Sequence, residues 1–254
     1  MTIIVVAANK GGVSKTTTAV TLAARLAQLE DTWLLDFDAQ GHCGLAFGLE
    51  PSHGIYEWVA RRYGLAKCLS AARPEKLRVL QSDPRTRLIE ENLDRRQESS
   101  IGDHLYALET PFVVIDTSGH GPLQKIALRV ADQIIIPFGL EQFGVESVYR
   151  SLEMVRLYNE EAKVTLLPTR YDMRLSEQKN NLQRVQADFQ SRYGLIERAA
   201  IKQRGAVSRA QAEGQTVWEF ESMDLGEVRS SYEILAMRVL NLAGYGQAEV
   251  ARVA

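Results

Sequence analysis

Cysteine is scarce: two in 254 residues cannot build a disulfide framework, which points to a reducing compartment. Long apolar runs are missing too. The opening run, Ile3–Ala8, falls far short of the roughly 20 residues that a membrane helix needs. No basic residue precedes it, so it does not read as a signal peptide. Charge of one sign is also lacking: 30 Lys and Arg against 32 Asp and Glu leave −2, which on the whole-chain average speaks against a nucleic-acid partner. Low-complexity stretches, internal repeats and Pro/Gly-rich linkers are absent. With 45% hydrophobic and 24% charged residues, the composition excludes disordered, collagen-like and coiled-coil classes. The expectation is one domain over residues 1–254, located in the cytoplasm.

What is present is alternation. Short apolar, β-branched runs predict strands at Ile3–Ala8, Trp33–Phe37, Leu77–Leu80, Phe112–Ile115, Gln133–Ile136 and Val164–Leu167. Helix-period stretches lie between and after them, near Thr16–Leu29, Ile55–Ala60, Thr86–Leu108, Leu123–Val130, Val145–Asn159 and Glu177–Tyr193. Runs without polar alternation suit a parallel sheet buried on both faces. Strands alternating with helices predict a doubly wound α/β fold, a mostly parallel sheet flanked by helices.

Directly after the first run comes Ala8-Asn9-Lys10-Gly11-Gly12-Val13-Ser14-Lys15-Thr16-Thr17-Thr18, and then a helical apolar pattern. A strand, a Gly-containing turn and a helix start gather backbone N–H groups around one point, where a polyphosphate is favoured. In such a loop Lys15 reaches the outer phosphates and the Thr16 hydroxyl ligates Mg²⁺. The strict phosphate-loop pattern wants glycine at Asn9 and at Ser14, so two positions depart from it. Lys10 through Thr17 resembles the deviant Walker A motif of the ParA/MinD ATPases, in which the residue at Asn9 varies. The resemblance implies a P-loop NTPase fold that binds ATP and Mg²⁺. It also implies that Lys10 is the signature lysine crossing to a partner subunit's phosphates, with nucleotide contacts along Lys10, Gly11, Gly12, Val13, Ser14, Lys15, Thr16 and Thr17. Ser14 stands where that family usually has glycine.

Carboxylates close two of the strands. Alternation places Asp36 and Asp38 on one side of the second strand, at its carboxyl end, where ligands of open α/β sheets sit. The segment Asp36-Phe37-Asp38-Ala39-Gln40-Gly41 resembles the family's Asp-x-Asp-Pro-Gln-Gly. By that resemblance Asp38 orients the attacking water and Asp36 supports the metal. Phe112–Ile115 delivers Asp116 in a Walker B arrangement that holds Mg²⁺ through a water. Thr117 fits the usual Thr-Pro-Pro, whereas Ser118 and Gly119 depart from it. That loop is expected to sense the γ-phosphate, and His120 within it is the one histidine of note.

The resemblance continues through Ala131–Pro137, through Leu166–Asp172 as the segment approaching the base, and through a closing helix at Tyr232–Ala236. It implies base contacts from Thr169 and Arg170, catalytic roles for Lys10, Lys15 and Asp38, and metal contacts from Thr16, Asp36 and Asp116. An iron–sulfur relative would need cysteines that Cys43 and Cys68 do not supply, so both read as small buried thiols. The carboxyl-terminal tail carries one basic residue and a Gly pair, which suits no membrane surface.

Between residues 192 and 209 five basic side chains face one acid, a net +4, and between 61 and 78 six face one, a net +5. Such clusters bind phosphate backbones without reading sequence. By position in the family, the first patch nominates Arg198, Lys202, Arg204 and Arg209 for nonspecific DNA, although Ala206 stands where the familiar arginine falls. The second patch reads as a solvated face. The resemblance therefore implies an ATP-dependent homodimer that binds DNA on the nucleoid and works with a ParB-like adaptor that stimulates slow hydrolysis. The short stretch before the phosphate loop leads us to expect no N-terminal winged-helix domain. Rival readings are a positioning ATPase for a protein assembly, a metabolic ATP-dependent ligase or synthetase, and a binding-only module weakened by Ser14.

Overall fold

The apolar strand runs pair into an eight-stranded sheet in the order β3-β4-β2-β5-β1-β6-β7-β8. The computed structural model describes residues 1–189, 193–195 and 200–246. In chain order, β1 (Thr2–Val6) leads through α1 (Lys15–Leu26) to β2 (Thr32–Phe37). Three short helices follow, α2 (His42–Ala46), α3 (Ile55–Val59) and α4 (Leu65–Cys68), before β3 (Leu69–Ala71) and β4 (Leu77–Leu80). Next come α5 (Thr86–Asn92), α6 (Arg95–Tyr106), β5 (Phe112–Thr117), α7 (Pro122–Val130) and β6 (Gln133–Gly139). The remainder is α8 (Gln142–Tyr158), β7 (Lys163–Thr169), α9 (Ser176–Phe189), β8 (Gly194–Leu195), α10 (Gly205–Ala212), a 3₁₀ turn at Met223–Leu225 and α11 (Gly226–Leu242). Every strand pair is parallel except β3 with β4.

Alternate residues of β1 feed two different cores. Ile3, Val5 and Ala7 pack with α7 and α8 residues on one face, while Ile4 and Val6 pack with α1 and α11 residues on the other. Both faces of the sheet are thus covered, as the unbroken apolar runs require. At β1 the sheet is flanked by β5 on one side and β6 on the other. Crevices at such reversals, outside the strands' carboxyl ends, are where open α/β sheets bind ligands.

All six expected strands are present, and the differences are informative. β6 and β7 run past the expected ends, through Pro137 and Pro168. Proline is tolerated at 137 because the β1–β6 ladder has already ended at Val6↔Ile135, so no partner on that side calls for the missing N–H. The expected helix Thr86–Leu108 is two helices. Asp94 breaks it as an N-cap, accepting from the Gln97 amide at 2.8 Å while the Gln97 side chain accepts from the Asp94 amide at 3.1 Å. β3, β8, α2, α4 and α10 carry too few periodic residues to read from pattern alone.

Candidate functional site

The loop from Ala8 to Lys15 leaves β1 and wraps the start of α1. Gly12 (φ 71°) and Ser14 (φ 67°, ψ 31°) both adopt left-handed backbone, which turns successive N–H groups inward. Ser14 is the N-cap of α1, its hydroxyl makes no capping bond, and its carbonyl accepts from the Thr18 amide at 2.9 Å. Lys15 is buried and folds back so that Nζ donates to the Lys10 carbonyl at 3.2 Å. That bond holds a positive charge over the centre of the loop.

Behind the loop lies a buried acidic centre. Thr16 Oγ1 donates to Asp116 Oδ2 at 2.6 Å, and Cys43 Sγ donates to the same oxygen at 3.6 Å. Asp116 Oδ1 is buried with no hydrogen-bond partner. Asp36 is fully buried, its two oxygens accepting from the Asp38 and Cys43 amides at 3.0 Å each. Burial pushes the Asp116 carboxyl up to about 6, against the pull of Thr16 and Lys15. Burial, and then the charge of Asp116, hold Asp36 well above the ordinary carboxylate range. Burial, and then Asp36, raise the Cys43 thiol as well. Asp36, Cys43 and Asp116 offer ligand atoms within 4.8 Å of one another. Two buried carboxylates, one with an orphaned oxygen, form a centre short of positive charge, and hard oxygen donors beside a phosphate loop fit Mg²⁺. Cys68 is the second buried, free thiol.

A cleft of about 900 Å³ opens above this centre, walled by the loop, by Asp38, by the Ser118–His120 segment after β5 and by Arg170. Its far side is supplied by Ile201, Gln203, Arg204, Val207 and Gln211. Asp38 is half-buried at the wall and accepts from the Gln40 amide at 2.9 Å. Arg170, itself left-handed at φ 56°, donates Nη1 to the Gly12 carbonyl at 3.0 Å and so braces the loop from outside. Lys10 is half-exposed and is not part of this chain's own cleft wall.

Two expectations need correction. Thr169 does not face the cleft: it is fully buried, and its hydroxyl is shared between the Val13 and Phe138 carbonyls at 3.1 Å each. It fastens the phosphate loop to β6, while Arg170, the next residue, points the other way. The net +4 of residues 192–209 also omits an acid brought in by α11. Glu227 pairs with Arg204 at 2.7 Å and with Lys202, and its own carboxyl is held below the ordinary range by those two cations. Arg209 is exposed on α10, and Arg198 lies outside the described residues. In the second basic segment Arg73 pairs with Glu219 at 3.3 Å and Lys76 donates to the Leu29 carbonyl at 2.6 Å.

The structure also ties to α1 residues that the sequence reading did not nominate for the site, Tyr232 and Glu233 having been expected only as part of a closing helix. Gln211 Nε2 donates to Thr17 Oγ1 at 3.1 Å, and the buried Tyr232 hydroxyl meets Thr18 Oγ1 at 3.3 Å. Arg25 on α1 grips Glu233 on α11 through two bonds of 2.6 and 2.7 Å. All three partners come from the last quarter of the chain, and no local spacing announces them.

A strand, a glycine turn closed by a lysine, a helix and a neighbouring strand ending in a metal-seeking aspartate define a P-loop nucleotide-binding protein. A family model described as an AAA domain matches residues 1–167. The chromosome partitioning protein ParA of Myxococcus xanthus is 35% identical over 161 residues, covering 58% of this chain and 55% of that protein. The chain thus aligns with only about half the length of that relative. The chromosome partitioning protein ParA of Caulobacter vibrioides is 28% identical over 268 residues, covering 98% and 97%. In fold, Cyanothece McdA in complex with ATP superposes with a TM-score of 0.82 at 20% identity, covering 97% of this chain and 98% of that one. The chain belongs to the ParA/MinD family of P-loop ATPases. Among the described residues no helix is long and apolar enough to cross a membrane.

Proposed function

We propose that the protein is a nucleotide-driven switch that hydrolyses ATP, pairs with a second copy around two ATP–Mg²⁺, and in that state binds nonspecific DNA to partition or position a cargo. The observation that carries the reading is the closed phosphate loop: Lys15 held over it by the Lys10 carbonyl, and Asp116 beside Thr16 with one buried oxygen unpaired. Thr16 and Asp116 would hold Mg²⁺, with Asp36 fixing the loop around them, and the ion, when bound, neutralises charge on the phosphates. Lys15 binds the outer phosphates, and Asp38 at the cleft wall orients the attacking water. Lys10 lies outside its own cleft wall, which suits a lysine that reaches a partner's phosphates in the manner of an arginine finger. The partition names of the relatives support a cytoplasmic, nucleoid-bound role and a ParB-like adaptor that accelerates turnover. Arg209 and Lys202, with Arg204 and Arg198, are the DNA contacts of this reading.

The test combines ATP turnover, sedimentation and DNA gel shifts at two salt concentrations, each with no nucleotide, ADP and ATP. Expected are slow turnover without a small-molecule co-substrate, an ATP-dependent dimer lost in Lys10→Ala, and salt-sensitive DNA binding confined to the ATP state. Lys15→Ala is expected to weaken ATP binding by roughly 10- to 100-fold, the effect of one charge-assisted contact to phosphate. Turnover that requires a small acceptor molecule would overturn the switch in favour of a metabolic ligase.

A further inference from the structure

The two buried thiols have different surroundings. Cys68, on α4, takes no part in the cleft wall or the acidic centre. Cys43 lies on α2, which the chain enters by turning back from the end of β2. Backbone fixes that turn: Gly41 stands at φ 67°, and a Cβ there would lie 2.5 Å from the Ser82 carbonyl oxygen, so glycine is required. Beyond the turn the Cys43 amide donates to Asp36 Oδ2 at 3.0 Å, and Sγ sits 3.6 Å from Asp116 Oδ2. Asp36, Cys43 and Asp116 are each at most 1% exposed. Nothing in the ATPase chemistry above uses the sulfur.

The separation of that sulfur from the Asp116 oxygen matches two ligands on one ion. Zinc bonds thiolate sulfur at about 2.3 Å and carboxylate oxygen at about 2.0–2.2 Å, and at a tetrahedral angle those lengths span about 3.5–3.7 Å. An Asp36 oxygen lies within 4.8 Å of both other ligand atoms. Asp116 adds an independent sign of a cation: its Oδ1 is buried without a hydrogen-bond partner, and buried carboxylates are paired or bind metal. Thr16, whose hydroxyl donates to Asp116 Oδ2, lines the cleft, so the centre lies one side chain beneath the cleft floor. Mg²⁺ takes oxygen donors and leaves the sulfur without a role. A thiolate beside carboxylates favours softer divalent cations.

We propose that Cys43, with Asp116 and Asp36, makes the acidic centre of the nucleotide-free protein a binding site for one thiophilic divalent cation of the zinc type. The inference rests on the cation centre of the ATPase reading and not on hydrolysis. Binding breaks the Cys43 S–H bond and forms a sulfur–metal bond; the proton passes to solvent, and nothing is oxidised or reduced. Three protein ligands leave the fourth position of such an ion to water. Because the ion takes Asp116, it competes with the Mg²⁺ that Thr16 and Asp116 would hold. Cys43 thereby widens the range of cations that the centre accepts.

The experiment titrates Cd²⁺, a thiophilic probe, into the untagged, nucleotide-free protein. It follows the ultraviolet cadmium–thiolate absorption, with affinity and proton release from calorimetry in two buffers. Wild type is expected to bind one Cd²⁺ per chain, to gain the absorption band and to release the thiol proton. Cys68→Ser keeps the band, and since it leaves Cys43 as the sole thiol it assigns the ligand even where Cys43→Ser does not fold. Cys43→Ser loses the band and weakens binding by more than the roughly 10- to 100-fold that an outer-shell change costs. Asp116→Asn weakens it similarly. No band in wild type, a band lost in Cys68→Ser or kept in Cys43→Ser, or unchanged affinity in Asp116→Asn would each overturn the site. Mg²⁺-dependent binding of an ATP analogue is measured in parallel without Cd²⁺. Its absence from wild type would overturn the ATPase reading, whereas its presence with no cadmium band would overturn this inference alone.

Discussion

Ser14→Gly isolates the cost of a side chain in a turn built for glycine. Ser14 sits at φ 67°, ψ 31° and caps α1 without a side-chain hydrogen bond. An L-residue in that well is strained by roughly 1–2 kcal/mol, and glycine removes the strain. Against this, glycine frees the unfolded chain by about 0.4–1 kcal/mol. The balance favours glycine by about 1 kcal/mol, or a rise in Tm of about 1–4 °C for a chain of this length. The hydroxyl contributes nothing to the cap, so Ser14→Ala, which keeps the Cβ, is expected to melt within about a degree of wild type. Differential scanning calorimetry of the nucleotide-free protein reads all three. A Ser14→Gly variant that melts below wild type while Ser14→Ala does not would refute the argument, because only the backbone term separates the two. Turnover measured on the same samples shows whether the relaxed loop also hydrolyses faster.

Asp116 predicts an unusual dependence on pH. Its carboxyl rises from 3.8 to about 6 in the fold, so the native state binds that proton more tightly than the unfolded chain. The group therefore costs nothing below about pH 4, destabilises increasingly between about 4 and 6, and at pH 7 costs about 3 kcal/mol. Asp116→Asn in metal-free protein is expected to melt about 5 °C or more above wild type at pH 7, with the gap closing toward pH 4, and Mg²⁺ should stabilise wild type alone. A gap independent of pH would exclude ionisation as its source. Glu227→Gln releases Lys202 and Arg204 and is expected to strengthen DNA binding, steepening the logarithmic salt dependence by about one unit per phosphate gained; unchanged gel shifts would place the DNA face elsewhere. Thr169→Val removes the tie to the Val13 and Phe138 carbonyls, at a cost of about 1–3 kcal/mol for the acceptors left buried. Thermal melting checks it, and loss of ATP affinity without loss of stability would return Thr169 to the nucleotide's side.

The chemistry that could be read from sequence is the chemistry that is contiguous in it. Lys10 to Thr17 lie in one turn, and Asp36, Asp38 and Asp116 end apolar runs whose period and direction place them at the sheet's carboxyl edge. Thr169 was beyond that reasoning: adjacent residues at a strand end face opposite ways, and Thr169 and Arg170 fall on the two sides of the wall. Charge counted along the chain failed for a related cause, since Glu227 reaches Lys202 and Arg204 from another helix. Asp94, by contrast, carries a readable capping signal with Gln97, overridden by helical periodicity on both sides of it.

The two hydrogen bonds of Arg25 to Glu233, with the contact of Thr18 and Tyr232, clamp α1, which has the phosphate loop at its amino-terminal end, to α11. α11 also carries Glu227, the acid that occupies Lys202 and Arg204, so a single helix touches both the helix that follows the phosphate loop and the basic segment.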